Sequence, residues 1–287
     1  VHPSLPYKIY TKYFTLPKYP TATVKENRLV IFQPTERPTK EIEVVVENAH
    51  GKVIISGKLG QVHKDLLDSV RHFAIDWKMA DEKRLAILFD PYQVRKALRG
   101  GKHEYNSKKF EILIKDLIQT VIKIETPDFI EIGTLLYKYR EANKEVKTKT
   151  GKIRKLAVIE FGEFGTKLIQ KDISIFYNPE KIAQLKYGIT KTVARYILSH
   201  KDQSNGGWKI DTIINNVVGA KINNVKLRKY RERIKKEKEK LKKIGILIKN
   251  DRIIRQKQEN IDNIEIVAES VTHIPESVTY IPESAPF

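Results

Sequence analysis

The stretches ITKTVARYILSH (189–200), GGWKIDTIINNVVG (206–219), KINNVKLRKYRERIKKEKEKLKK (221–243) and GILIKNDRIIRQK (245–257) follow one another near the C-terminal end of this chain. In the first, Ile189, Val193, Tyr196 and Ile197 fall on one side of a helix that the Asn205-Gly206-Gly207 breaker ends. Trp208-Lys209-Ile210 is short and extended, and Asp211 is placed to N-cap a second helix, TIINNVV, that stops at Gly219. In the third, Leu227, Tyr230, Ile234 and Leu241 recur at spacings of 3, 4 and 7, which predicts one continuous basic helix with these side chains inward. Arg228, Lys229, Glu232, Arg233, Lys236, Lys240 and Lys243 lie opposite. Lys236 and Lys240 beside Glu237 and Glu239 is also what a plain solvated surface looks like. ILIK and RIIRQK around Asn250-Asp251 read as a two-stranded hairpin.

The same order of elements occurs upstream. Val62 to Trp77 is amphipathic through Leu66, Leu67, Val70 and Phe73, and Arg84 to Phe89 is apolar and strand-like. Asp90-Pro91 supplies an N-cap and a proline at the first helical position of a second helix, which runs to Leu98 and breaks at Gly100-Gly101. Ser107 caps a third helix with Phe110, Leu113, Ile114 and Leu117 inside, and a strand follows from Thr120 to Glu125. This order is that of a winged helix, a helix-turn-helix variant whose third helix enters the major groove. Between the two copies, LLYKY and KLAVIEF flank a basic loop from Arg140 to Lys155, expected to be a long hairpin with a mobile tip. From Glu269 the sequence repeats as ESVTHIP, ESVTYIP and ESAPF, a composition expected of a disordered segment. The fold class expected is therefore α+β, two tandem winged-helix domains with an extended β-hairpin between them and a disordered C-terminal tail. The boundaries read as an N-terminal arm (1–41), a first domain with the hairpin (42–170), a second domain (171–257) and the tail (258–287).

Over the full 287 residues, 54 Lys and Arg outweigh 35 Asp and Glu, a net charge of +19. Residues 201–250 alone hold 15 basic and 5 acidic residues, whereas 251–287 hold 3 and 7. A basic surplus concentrated on one helix points to a polyanionic partner. Cysteine is absent, which removes disulfide frameworks, Cys-ligated zinc and iron–sulfur sites, and thiol catalysis. No run approaches the roughly 18 consecutive apolar residues of a membrane span. The expected location is the cytoplasm. Val1-His2-Pro3 lacks a basic n-region and an apolar h-region, and with Met79 as its single methionine the sequence is expected to be processed or a fragment.

Catalytic patterns in the sequence are weak beside this charge. GKVIISGK (51–58) has five residues between its glycines and Leu59 after the lysine, so it reads as a strand ending in a glycine turn rather than a phosphate loop. The seven histidines form neither His-x-His nor His-Glu-x-x-His, and His63 and His72 read as ordinary surface or half-buried residues. Asp128, Glu131, Glu160 and Glu163 lack the Glu-x-Lys partner of a metal nuclease. No Arg and His constellation accompanies the 13 tyrosines. The expectation is a non-enzymatic protein without a cofactor.

NRLVIFQP (27–34), VIISGKLGQVHKDLLDSVRHFA (53–74), FDPYQVRKAL (89–98), ISIFYNPEKIAQLKYGITKTVARYILSH (173–200), GGWKIDTIINNVVG and the basic helix occur in an order that resembles the iteron-binding plasmid replication initiators. The resemblance spans roughly residues 25 to 257. It implies an initiator that binds directly repeated origin DNA, helps to melt an AT-rich stretch and recruits the host replicative helicase and DnaA. It also implies homodimers formed through the N-terminal winged domain, repression of the protein's own promoter and control of plasmid copy number. The basic hairpin and the Ser/Pro/Glu tail have no counterpart in that pattern.

The expected DNA contacts are Lys221, Asn223, Asn224, Lys226, Arg228, Lys229, Glu232, Arg233, Lys236 and Lys240 on the basic helix, and Lys249, Arg252 and Arg255 on the second hairpin. The first domain adds a weaker set, Asn106, Lys108, Lys109 and Lys115, offset by Glu111 and Asp116. A transcriptional repressor built from the same modules is the alternative, and a nickase or recombinase the more distant one.

Overall fold

The computed structural model describes residues 19–38, 41–48, 51–126, 130–147, 151–170, 172–201, 203, 206–219, 222–256 and 266–267. Strand β1 (Ala22–Thr23) and helix α1 (Val24–Arg28) precede β2 (Glu41–Asn48), β3 (Gly51–Gly57), α2 (Gln61–His72), β4 (Ala74–Met79), β5 (Leu85–Phe89), α3 (Pro91–Ala97) and α4 (Ser107–Gln119). Then come β6 (Val121–Glu125), β7 (Ile130–Thr134), β8 (Leu136–Lys147), β9 (Ile153–Phe161) and α5 (Glu163–Gln170). The second series is β10 (Ser174–Ile175), α6 (Pro179–Ala183), α7 (Gly188–Leu198), β11 (Trp208–Lys209), α8 (Ile210–Val218), α9 (Asn224–Lys236), α10 (Lys238–Lys242), β12 (Ile246–Lys249), β13 (Arg252–Arg255) and β14 (Ile266–Val267). All strand pairings are antiparallel, in sheets ordered β2-β3-β6-β7, β4-β5-β9-β8, β11-β13-β12 and β1-β10-β14. The class is α+β.

Two stretches share one topology. In the first, α2, β5, α3, α4 and the β8–β9 hairpin succeed one another. In the second the series is α7, β11, α8, α9 and the β12–β13 hairpin. In both, the returning strand of the hairpin lies between its partner and the early strand, as β5-β9-β8 and β11-β13-β12. Local chemistry fixes the corners. Asp90 accepts a hydrogen bond from the Tyr92 N–H (2.9 Å) ahead of Pro91. Gly219 ends α8 at φ +63°, where a Cβ would fall 2.0 Å from Val46 Cγ1, so no larger residue fits. Asn250 and Asp251, both at positive φ, form the two-residue turn between Lys249 and Arg252.

Several expectations are corrected. The helix expected from Val62 to Trp77 ends at His72, and Ala74–Met79 pairs with β5, placing Trp77 and Met79 against the core. Asn106, not Ser107, caps α4, and Lys209 rather than Asp211 precedes α8. The loop expected from Arg140 to Lys155 is ladder over most of its length, with Glu145↔Lys155, Val146↔Arg154 and Lys147↔Ile153 paired; a high density of charge masked the strand pattern. Strand β9 pairs with β5, so the hairpin is continuous with a sheet of the first unit. Of the expected arm, Tyr19, Leu29, Ile31 and Phe32 are packed in the first core and Ala22 and Val24 in the second. Of the expected tail, Ile266 and Val267 pair with β10, and the rest of 257–287 lies outside the described residues.

The two cores meet across a buried ionic seam. Four carboxylates (Glu26, Glu36, Asp65, Asp68) face four cations (Lys64, Arg71, Lys191, Arg195). Arg195 on α7 donates to Asp68 Oδ2 (2.9 Å), Asp65 Oδ1 (2.5 Å) and Gln61 Oε1 (2.6 Å), all on α2. Tyr177 donates to Asp68 Oδ2 (2.6 Å), and Arg71 grips both oxygens of Glu26 (2.8 and 2.9 Å). Burial pushes the Asp68 carboxyl up, but Lys64, Arg195 and Arg71 outweigh it and hold it down at about 2. Burial of Arg195 is likewise outweighed by Asp68 and Asp65, which raise it further. Burial raises the Glu36 carboxyl despite Lys191. A buried ion set adds little net stability over an apolar seam but punishes any change that leaves a charge unmatched. It therefore fixes how the two units sit, and with them their third helices.

Candidate nucleic-acid interface

Helix α9 starts where Asn223 Oδ1 accepts from the Lys226 N–H (2.8 Å), and α4 starts the same way, Asn106 Oδ1 accepting from the Lys109 N–H (3.1 Å). Two of the three asparagines expected as DNA contacts, Asn223 and Asn106, thus cap the third helix of their unit. Tyr230 and Ile234 are buried beneath α9, and Leu227 packs partly against the same core. Two further cations on this helix, Arg231 and Lys235, neither of them among the expected contacts, turn sideways to anchor it. Arg231 donates from Nε to Asp211 Oδ1 on α8 (3.0 Å), and Lys235 pairs with Asp251, holding that carboxyl below its ordinary range. Arg233 lies 5.4 Å from the Tyr187 ring centroid, half-buried, and Lys226 5.8 Å from that of Tyr230.

What remains outward is Asn224, Arg228, Lys229, Glu232 and Lys236, all exposed. Arg228 donates from Nε to Glu232 Oε1 one turn on (3.1 Å), so the carboxylate aims the guanidinium. Anchored at its sides, α9 presents along one strip a row of donors, with one carboxylate among them, of the kind that reads phosphates and base edges.

The basic helix does not run unbroken to Lys243. It breaks at Glu237, a buried residue that the solvated-surface alternative places beside Lys236 and Lys240. Its carboxylate accepts from the Lys186 N–H (2.7 Å) and Tyr187 N–H (3.2 Å) at the start of α7, and from Lys240 Nζ (3.2 Å). Lys240 also donates to the Gln184 carbonyl (2.8 Å), so this expected contact is tied across to α6. On the second hairpin Lys249 is exposed, whereas Arg252 donates to the Gly207 carbonyl (3.0 Å) and Arg255 to that of His200. Those two arginines hold the segment before β11 rather than standing free, a role invisible without the long-range partners. Lys221 lies outside the described residues.

On α4, Lys108, Lys109 and Lys115 are exposed beside Glu111 and Ile112. Asp116 turns away from them to His63, whose Nε2 lies 3.2 Å from Asp116 Oδ2 and whose Nδ1 accepts from the Gly60 N–H (3.1 Å). His63, expected at or near the surface, is buried as the clasp between α2 and α4. The long hairpin carries exposed Lys138, Arg140, Lys144, Lys147, Lys152 and Lys155, while Arg154 folds inward to Asp90 (2.9 Å) and over the Tyr92 ring (4.4 Å). Among the described residues no cluster of three or more His, Asp or Glu side chains is arranged to hold a metal ion, and Glu131 and Glu163 both pair with Lys167. No helix among them is long and apolar enough to cross a membrane.

No protein-family model and no curated protein matches the chain. Solved structures that it resembles include domains 2 and 3 of RctB, 10% identical with a TM-score of 0.47, covering 85% of this chain and 96% of that one. A second RctB structure, of domains 2–3 (residues 155–483), is 12% identical with a TM-score of 0.41, covering 75% and 82%. Neither likeness is close enough to carry a function across.

Proposed function

We propose that the chain is a sequence-specific DNA-binding protein of two winged-helix units that initiates replication from repeated origin sequences, without catalysing a reaction itself. The observation that carries this is the pairing of two units of equal topology, each with an Asn-capped third helix that exposes cations, on a chain of net charge +19. In such a fold the third helix enters the major groove and the hairpin contacts the flanking backbone. Two units held rigidly side by side suit two successive major-groove faces, about 20 base pairs. α9 supplies the main readout through Arg228 and Lys229, and α4 a weaker positioning contact. Binding at iterons, melting of an AT-rich stretch and recruitment of DnaA and the replicative helicase in a bacterial cytoplasm complete the reading. The exposed Val45, Val121, Ile130 and Ile132 of the β2-β3-β6-β7 sheet favour a homodimer through the first unit.

Footprinting on the DNA flanking the gene tests it. Protection of tandem repeats beside an AT-rich stretch is the expected result; protection confined to an inverted repeat at a promoter would favour a repressor. Site-specific nicking of supercoiled DNA with Mg²⁺ would overturn the non-catalytic assignment.

A further inference from the structure

Between the two units lies a cleft of about 570 Å³, within the range of small-ligand sites. Its floor combines Val62, Leu98 and Leu185 with Lys191. The two carboxylates that reach it, Glu36 and Asp65, are both spent on Lys191, at 3.1 and 2.5 Å. Its rim is cationic: Arg37, Arg99, Lys102 and Lys109 from the first unit and Lys240 from α10.

On the neighbouring helix α9 several cations are matched, Arg228 by Glu232, Arg231 by Asp211 and Lys235 by Asp251. Around the cleft most are not. Arg37, Lys102 and Lys109 form no ion pair with any described residue. Arg99 lies over the Tyr105 ring, 5.4 Å from its centroid, and Lys240 shares Glu237 with two backbone N–H groups. Cations gathered on a concave wall whose two carboxylates are already paired raise the local potential, and an anion that enters relieves the repulsion. Guanidinium and ammonium groups spread over several positions fit an anion with many oxygens.

The geometry points to a phosphate-binding cleft between the units. Two sources share that chemistry, the DNA backbone and a free polyphosphate. The cleft joins the first turn of α4 to α10, which continues from α9, so a backbone passing from one third helix to the other crosses it. That arm rests on the DNA-binding reading above; the cleft itself does not.

The test uses the full chain and the doubly substituted Arg37→Gln/Lys102→Gln, both side chains being exposed. Without ligand the two proteins should share one Tm and one circular dichroism spectrum. Inorganic tripolyphosphate should bind the parent saturably and raise its Tm, and bind the variant at least tenfold more weakly. If the DNA backbone is the source, the log–log salt slope of duplex binding should also shrink, by about two, at roughly 0.9 per phosphate contact. An unchanged slope with lost tripolyphosphate binding assigns the cleft to a free polyphosphate. Tripolyphosphate binding that persists unchanged in the variant overturns the proposal, as does tighter, variant-sensitive binding of polyglutamate. A parent that binds no duplex but binds tripolyphosphate in a variant-sensitive way removes the DNA reading and leaves the cleft standing.

Discussion

In α7 the side chains of Lys191 and Arg195 are 4% and 3% exposed, and each is held by carboxylates of α2; in α9 the side chain of Arg228 is 81% exposed and leans on one carboxylate of its own helix. The two helices use the same residue types for opposite ends. A cation enters the interior only where desolvation, several kcal/mol per ion, is offset by matched partners. Asp65 and Asp68 of α2, with Gln61 beside them and Glu36 from the preceding segment, are those partners, so the charge of α7 is consumed in holding the units together. α9 keeps its cations hydrated, and hydrated cations are the ones that can displace counterions from a polyanion.

The sharpest way to break this comparison is to remove one cation from each helix. Arg195→Met should lower unfolding free energy by about 3–5 kcal/mol in urea titrations, since Asp65 and Asp68 would stay buried and under-matched. Arg228→Ala should change it by less than about 0.5 kcal/mol. Comparable small losses would mean that the seam is wetter than its geometry.

Acid should dissect the seam next. The folded Asp68 carboxyl sits at about 2, below its ordinary 3.8, so it contributes stability above that ordinary value and loses it as pH falls through the folded one. The loss should amount to about 2 kcal/mol, spread between about pH 4 and pH 2. Glu36 works in the opposite sense: its carboxyl is raised by burial, so acidification first relieves a penalty there. Urea unfolding at a series of pH values should therefore show stability holding or rising slightly before it drops below about pH 4. A steady decline starting near neutrality would contradict the assignment of Asp68.

How much of this was legible in the sequence follows from the range of each interaction. Asp90-Pro91, Gly100-Gly101, Gly219 and Asn250-Asp251 act on their own neighbours, and their reading holds in the structure. The apolar faces of α2, α4, α7 and α9 were equally readable, because a 3.6-residue period survives any tertiary context. Lys191 and Arg195 were not, since the partner that buries each lies more than a hundred residues away and charge in a helix reads as solvent-facing. Glu237 failed for the same reason: its partners are backbone N–H groups about 50 positions upstream. Among the expected contacts, Arg228, Lys229, Glu232 and Lys236 are exposed on α9, while Arg252 and Arg255 are engaged with distant carbonyls.

On the DNA side, the exposed strip of α9 should itself divide. Arg228→Ala should cost about 1–3 kcal/mol on the preferred sequence and relax selectivity at one base pair, as loss of a bidentate guanine contact does. Lys236→Ala, a change at an exposed cation that forms no ion pair with a described residue, should weaken preferred and random duplexes alike and reduce the salt slope by about one. Fluorescence anisotropy with both duplexes at several salt concentrations separates the two. Equal losses on both duplexes for Arg228→Ala would reduce α9 to a backbone grip.

The smallest effect is the most discriminating. Glu232→Gln removes an exposed i,i+4 pair, which should alter folding stability by only about 0.3–0.5 kcal/mol. Its consequence for recognition depends on what the carboxylate does once DNA is present. Glu232 Oε1 already accepts from Arg228 Nε at 3.1 Å, a contact that leaves the two terminal guanidinium nitrogens free for a base edge. On that geometry Glu232→Gln should loosen selectivity at the same base pair that Arg228→Ala affects, and the double substitution should cost no more selectivity than Arg228→Ala alone. Should Glu232 instead accept from cytosine N4, the loss would fall on a different base pair and the two substitutions would add. Selection of preferred duplexes from a random pool with each variant decides between them, and only the first outcome preserves the picture of α9 as a row of cations aimed from within its own helix.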